Sequence, residues 1–216
     1  MIYDNRQQAG QRLADALEYL KGEENLIVIA LPRGGVPVGY QIAKRIGAPL
    51  DLVVPRKIGA PHNREFAVGA VAEPDIRVMN ERAIEVYNIS QEYLEKEIEN
   101  QMEEIKRRKE EYRGNRPDIT LTNKKVVLVD DGIATGLTML AAIRAIKFQR
   151  PEELILAVPV APPDTVDWLQ EEVDQVVCLV YPEPYGAVGQ FYYDFSQVSD
   201  REVIQLLDER KQMEVG

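Results

Sequence analysis

An α/β fold with parallel strands is predicted by three features of the sequence. Apolar runs of strand length alternate with segments of helical period, the pattern of strands joined by crossover helices. The 216 residues suffice for one substantial core, whereas two independent domains would each be small. The alternation is interrupted once, by a mostly charged helical stretch over residues 80 to 114, with no internal repeat and no low-complexity tract. One domain spanning 1–216, with a helical insertion at about 80–115, is therefore the economical organisation.

A helical pattern from Arg6 to Lys21 precedes a first strand from Asn25 to Ala30. A second, Val36 to Ile46, leads to strands at Leu50 to Val54 and Val68 to Ala72. Within the insertion Ile98, Ile105 and Tyr112 recur every seven residues beside Leu94 and Met102, a narrow apolar seam on an otherwise solvated helix. Asn88 or Ser90 supplies its N-cap, Lys106 to Lys109 its basic last turns, and Gly114 followed by Pro117 its stop. Such a seam suits packing onto the parent domain, a homodimer contact, or a cover over a site. Strands at Lys125 to Asp130, Leu154 to Pro159 and Gln175 to Tyr181 alternate with helices at Gly136 to Phe148 and Pro163 to Glu171. A segment at about 181–200, too rich in glycine and proline for a helix, then concentrates aromatic residues.

Composition removes several classes of function. No apolar stretch reaches the ~18 residues of a membrane span, and the opening MIYDNRQQAG is polar where a signal peptide is apolar. A soluble, cytoplasmic protein with no membrane partner is expected. The single cysteine, Cys178, lies in the apolar run VVCLV, so neither an intrachain disulfide nor a cysteine zinc site can form. A formal net charge of −10 argues against nucleic acid, whose binding rests on phosphate neutralisation by Lys and Arg. An anionic metabolite still fits, where local cations, backbone N–H groups and a divalent ion reverse the field.

The most informative run is Val126-Val-Leu-Val-Asp-Asp-Gly-Ile-Ala-Thr-Gly-Leu-Thr138: an apolar strand, two acids, then a small-residue loop that opens a helix. Backbone N–H groups of Ala134, Thr135, Gly136, Leu137 and Thr138 can surround a phosphate, helped by the helix dipole and the two threonine hydroxyls. Asp130 and Asp131 stand at a strand's carboxyl end, where open α/β sheets bind ligands, and can accept hydrogen bonds from ribose hydroxyls. No G-x-x-x-x-G-K-[ST] and no G-x-G-x-x-G after a strand occurs, which disfavours nucleotide hydrolysis and dinucleotide binding. A second strand–turn–helix series, Ala30-Leu-Pro-Arg-Gly-Gly-Val-Pro-Val-Gly39, places an arginine at the turn and reads as another anion site. After the next strand, Val53 to Phe66 sets Arg56 and Lys57 before an aperiodic Gly/Pro-rich stretch expected to be a mobile loop. The only histidine, His62, sits there with Glu65, as a solvated residue or a proton-transfer group.

The run from Val126 to Thr138 resembles, almost position for position, the 5-phosphoribosyl 1-pyrophosphate (PRPP) signature of type I phosphoribosyltransferases. The resemblance covers roughly residues 6–72 and 124–181 and implies a central, mainly parallel sheet flanked by helices, with a small C-terminal hood that receives the acceptor. It implies transfer of the phosphoribosyl group to a nitrogenous acceptor with release of pyrophosphate, assisted by Mg²⁺ held mainly through PRPP itself. Arg33 and Gly34 match the family's pyrophosphate loop, with a cis peptide expected at Leu31-Pro32, where proline lowers its cost. Arg33, Arg56, Lys57 and Asp131 take catalytic roles under this resemblance; Gly34, of the pyrophosphate loop, binds substrate together with Asp130, Asp131 and Ala134 to Thr138. The piece Tyr192-Tyr-Asp-Phe195 is similar to the aromatic and Asp element lining the base pocket of the purine branch, which nominates Phe191, Tyr193 and Asp194 for the acceptor. Enzymes acting on 6-oxopurines carry a proton-transferring Asp where this chain has Ala134, which argues against hypoxanthine or guanine. A non-catalytic PRPP sensor is the alternative, since the family includes regulators that keep the loop.

Overall fold

The computed structural model describes residues 2–114, 116 and 119–215, and in it the apolar runs at Leu26–Ala30, Lys125–Val129 and Glu153–Val160 become strands buried on both faces, whereas Gln175–Val180 is an edge strand of partly exposed residues. In chain order the elements are α1 (Arg6–Ala16), β1 (Leu26–Ala30), α2 (Gly35–Ile46), β2 (Leu50–Leu52), β3 (Arg56–Ala60), β4 (Asn63–Ala72), β5 (Ile76–Met79), α3 (Glu81–Val86) and α4 (Gln91–Arg113). Then follow β6 (Lys125–Val129), α5 (Leu137–Phe148), β7 (Glu153–Val160), α6 (Pro163–Gln170), β8 (Gln175–Val180) and α7 (Asp200–Val215). They fall into two compact units: Met1–Val53, Asp118–Thr135 and Gln149–Gly216 form one, Val54–Pro117 and Gly136–Phe148 the other.

The first unit is built on a five-stranded, wholly parallel sheet of order β2-β1-β6-β7-β8, flanked by helices. All five residues of β1, and Val126 to Val129 of β6, are buried. Asn5 opens α1 by accepting a hydrogen bond from Gln8 N–H at 2.9 Å, and Ala9, Leu13 and Leu17 follow at helical spacing, buried. The sheet grows from β1 to β2 on one side and to β6 on the other, so its order reverses between β1 and β6. Ala30 and Val129 are in register at that reversal, and the two chains leave the sheet side by side. Crevices of this kind, outside the carboxyl ends of strands, are where open α/β sheets hold ligands.

Helix α7 escapes the sequence reading, which ended its C-terminal segment at about 200. Its buried Val203, Leu207 and Arg210 follow a spacing of four and three, and Ser199 Oγ accepts from Glu202 N–H at its start. Arg210 Nε donates to the Ala48 carbonyl at 2.9 Å, a buried bond that ties the helix to the turn before β2.

The second unit carries the antiparallel sheet β3-β4-β5, against which α4 and α5 pack. The mobile loop expected after Val54 is instead a β-hairpin. Its register shifts on both sides of Gly59, and such bulges carry successive side chains off one face, which is why no alternation was visible. Ser90, not Asn88, caps α4, accepting from Tyr93 N–H at 3.3 Å. The seam residues Leu94, Ile98, Ile105 and Tyr112 are buried, and α4 lies on β3 and β4, so the seam is used inside the chain. Gly114 ends the helix at a positive φ of 56°; Pro117 lies outside the described residues.

Candidate functional site

The turns after β1 and β6 meet in the first unit. Leu31 N–H donates to the Val129 carbonyl at 2.9 Å, and Gly35 N–H closes the first turn onto the Leu31 carbonyl at 3.0 Å. The cis peptide of this turn joins Pro32 to Arg33 and not Leu31 to Pro32. Amide chemistry sets what a cis bond costs in isolation, but not where the surrounding hydrogen bonds put it. Gly34 faces the acids so closely that a Cβ there would stand 1.9 Å from Asp131 Oδ2. Arg33 points to Asp200 at the start of α7, Nη1 to Oδ1 3.7 Å, a long and half-exposed pair.

The acid pair closes the other turn. Asp131 N–H donates to Asp130 Oδ1 at 2.8 Å, which folds the first carboxylate back over the chain. Asp131 is 8% exposed, and its Oδ2 accepts from Arg6 Nε at 2.7 Å. Burial raises both carboxyl pKa values; at Asp130 burial, with the charge of Asp131 added to it, pushes the value well above the usual range, whereas Arg6 restrains the rise at Asp131. Arg6 also donates through Nη1 to the Ser196 carbonyl at 2.7 Å and lies 3.9 Å from the centre of the Phe195 ring. Tyr192 O–H donates to the Asp131 carbonyl at 2.6 Å, and Tyr3 O–H to that of Pro159 at 2.8 Å. Burial holds both phenols protonated, Tyr3 pushed up to about 12.

Beyond the acids the chain passes through Ala134 and Thr135, both exposed. Thr165 Oγ1 of α6 donates to the Ala134 carbonyl at 2.9 Å. Gly136 adopts φ +79°, a left-handed conformation that side-chain-bearing residues rarely accept, and Leu137 and Thr138 begin α5. The first N–H groups of a helix have no partner within it, so this start presents donors suited to an anion.

Of the residues nominated from sequence, Arg33, Gly34, Asp130, Asp131, Ala134 and Thr135 lie in the first unit, and Gly136, Leu137 and Thr138 in the second. Arg56 and Lys57 also belong to the second. Arg56 Nε donates to Gln101 Oε1 at 2.8 Å, and burial together with Arg108 lowers its pKa. Lys57 Nζ pairs with Glu65 across the hairpin at 2.6 Å. His62 is exposed in the hairpin turn. In the aromatic segment the Phe191 ring packs on Tyr185, their centres 5.2 Å apart, while Tyr193 is 72% exposed. Asp194 is exposed and accepts from Ser196 N–H, which lowers its pKa. Arg6, Thr165 and Tyr192 were not nominated, because each acts through a partner more than thirty residues away and local sequence marks none of them.

A family model described as a phosphoribosyl transferase domain matches residues 1–196. Proteins from two strains of Mycobacterium tuberculosis, provisionally named phosphoribosyl transferases, are 41% identical over 207 residues, covering 96% of this chain and 46% of theirs. The chain thus spans about half the length of these curated relatives. The bifunctional protein PyrR of Clostridium novyi is 31% identical over 145 residues, 67% of this chain and 62% of that protein. A crystal structure of TT1426 from Thermus thermophilus is 43% identical with a TM-score of 0.79, covering 97% of this chain and 99% of that one.

Proposed function

Because this chain belongs to the phosphoribosyl transferase family, we propose that it binds PRPP and transfers its phosphoribosyl group to a nitrogenous acceptor, releasing pyrophosphate. The observation that carries this reading is the meeting of two turns at the sheet's reversal, with Gly34 packed against the Asp131 carboxylate. Asp130 and Asp131 accept the ribose hydroxyls, and Ala134 to Thr138, consecutive in the chain, bind the 5′-phosphate through N–H groups and hydroxyls. Arg33 exchanges its long pair with Asp200 for the pyrophosphate, whose charge grows as the glycosidic bond breaks. The work of these residues is positioning and charge stabilisation.

The residues present fit a substrate-borne Mg²⁺. Among the described residues no group of three His, Cys, Asp or Glu side chains is placed to hold an ion alone, so PRPP oxygens and water would supply most ligands. Bound there, Mg²⁺ would offset charge on the leaving pyrophosphate. The acceptor lies against the segment containing Phe191, Tyr193 and Asp194, and its class is a nitrogen nucleophile. The location consistent with this chemistry is the cytoplasm, and no described helix is long and apolar enough to cross a membrane.

Calorimetric titration with PRPP, with and without Mg²⁺ and with ribose 5-phosphate as control, tests the site. Saturable, Mg²⁺-assisted binding that exceeds the control and disappears in the Asp130→Asn, Asp131→Asn double variant is expected. Equal affinity in the double variant would refute the ribose role of the acids. PRPP binding without pyrophosphate release in the presence of any purine, pyrimidine or amine acceptor would move the chain to the sensing reading.

A further inference from the structure

Resting on the reading of the acid pair as a ribose site, we propose that Arg6 is a positioning residue for sugar recognition. It holds the Asp131 carboxylate in the orientation that takes a ribose hydroxyl, and ties that orientation to the C-terminal aromatic segment.

The geometry assigns each part of Asp131 a separate restraint. Its backbone is held by the Tyr192 hydroxyl on the carbonyl and by its own N–H on Asp130. Its side chain is held by Arg6 Nε at 2.7 Å, and both side chains of this pair are only 12% exposed. The carboxylate fills the space that Gly34 leaves by lacking a Cβ, so that close wall and the guanidinium together limit its rotation. Arg6 engages Oδ2 from one edge, and a carboxylate has about four acceptor sites, so acceptor capacity remains for a ligand hydroxyl.

The same guanidinium reaches the C-terminal segment twice, through the Ser196 carbonyl at 2.7 Å and the Phe195 ring at 3.9 Å. A planar fork with several fixed donors can meet a carboxylate, a carbonyl and a ring face together; an ammonium group offers one point charge and no plane to stack. The side chain that aims the sugar-binding acid is therefore also the one that seats Phe195 and Ser196. Displacement of that segment would loosen Arg6 and, through it, Asp131.

The test compares binding of ribose 5-phosphate with that of tetrahydrofurfuryl phosphate, which keeps ring and phosphate but has no ring hydroxyls. The wild-type chain is expected to prefer ribose 5-phosphate at least about tenfold, the scale of hydrogen bonds to a charged group. Arg6→Gln should cut that preference below about threefold while changing the hydroxyl-free probe less than about twofold, since only the acid is misplaced. Arg6→Lys, which keeps the charge, should fall between, and carries the test if the Gln variant does not fold. A preference that survives Arg6→Gln in a folded protein overturns the proposal alone. Equal weakening of both probes in the Lys and Gln variants also overturns it, because that is a general structural defect. A wild-type chain with no preference would overturn the ribose reading itself, before any substitution is made, and the proposal with it.

Discussion

Asp130 stands where charge is unwelcome: burial and its neighbour Asp131 both raise its carboxyl pKa, and its Oδ1 is already engaged by the Asp131 N–H. With the folded value above the unfolded one, the native chain holds more protons in the window between them, so stability falls as pH climbs through that window. The window begins in the usual aspartate range and extends upward to the raised folded value. Asn at this position keeps an acceptor for the Asp131 N–H and carries no charge. Asp130→Asn should therefore raise the melting temperature of the free protein at pH 7 by about 2–4 °C, the response of a chain this size to about 1 kcal/mol, and flatten its decline with pH. The same variant should bind PRPP at least about tenfold more weakly. Calorimetric melts across pH decide the matter; an unchanged or lower melting temperature would mean that the charge is not held at the expense of stability. Arg33 presents a milder case, a cation held in a long pair with Asp200 that the proposed pyrophosphate site would draw away.

At the scale of elements, Arg56 separates two uses of one cation. Its bond to Gln101, which in turn donates to the buried Glu97 at 2.8 Å, fastens the hairpin β3–β4 to α4. Arg56→Ala should cost about 1–3 kcal/mol, read as a lower denaturant midpoint, because it strips a partly buried polar network of its donor. Lys57→Ala, which breaks a pair reaching into solvent, should leave the midpoint where it was. A midpoint unchanged in Arg56→Ala would show that the network does not depend on this arginine and would return it to the pool of ligand-binding cations. The elements readable from sequence were those with a single, unbroken period. The apolar runs of β1, β6 and β7, and the seam of α4, each report one burial pattern from end to end. The hairpin was hidden because bulges at Gly59 break its alternation, and α7 because a buried arginine occupies one place in its apolar stripe. The turns of the candidate site were legible because glycine, paired acids and a helix start are adjacent in the chain. Arg6, Thr165 and Tyr192 were not, since their meaning comes from partners that only the fold brings near.

The molecule as a whole carries a formal charge of −10, yet its proposed ligand is a polyanion. A net negative charge of this size repels an anionic ligand at a distance, so attraction must come from groups close to the site. Salt shortens the reach of that repulsion from about 30 Å at 0.01 M to about 8 Å at 0.15 M, still longer than the direct contacts of the site. The association rate for PRPP should thus rise by roughly two- to threefold over that range, where a ligand steered by a basic surface would slow down. Stopped-flow binding at constant Mg²⁺ measures this, and a rate that falls with salt would mean that local cations govern the approach. The clasp between Arg6, Asp131 and the aromatic segment has a further consequence, for the order of synthesis. Arg6 leaves the ribosome 125 residues before Asp131, and Tyr192 follows Asp131 by another 61, with Phe195 and Ser196 just behind it. A nascent chain can complete the parallel sheet through β8 and still lack the groups that fix Asp131 from the aromatic side. On the proposed ribose role of Asp131, competence to hold the sugar would be withheld from every copy that has not yet been extended past Ser196.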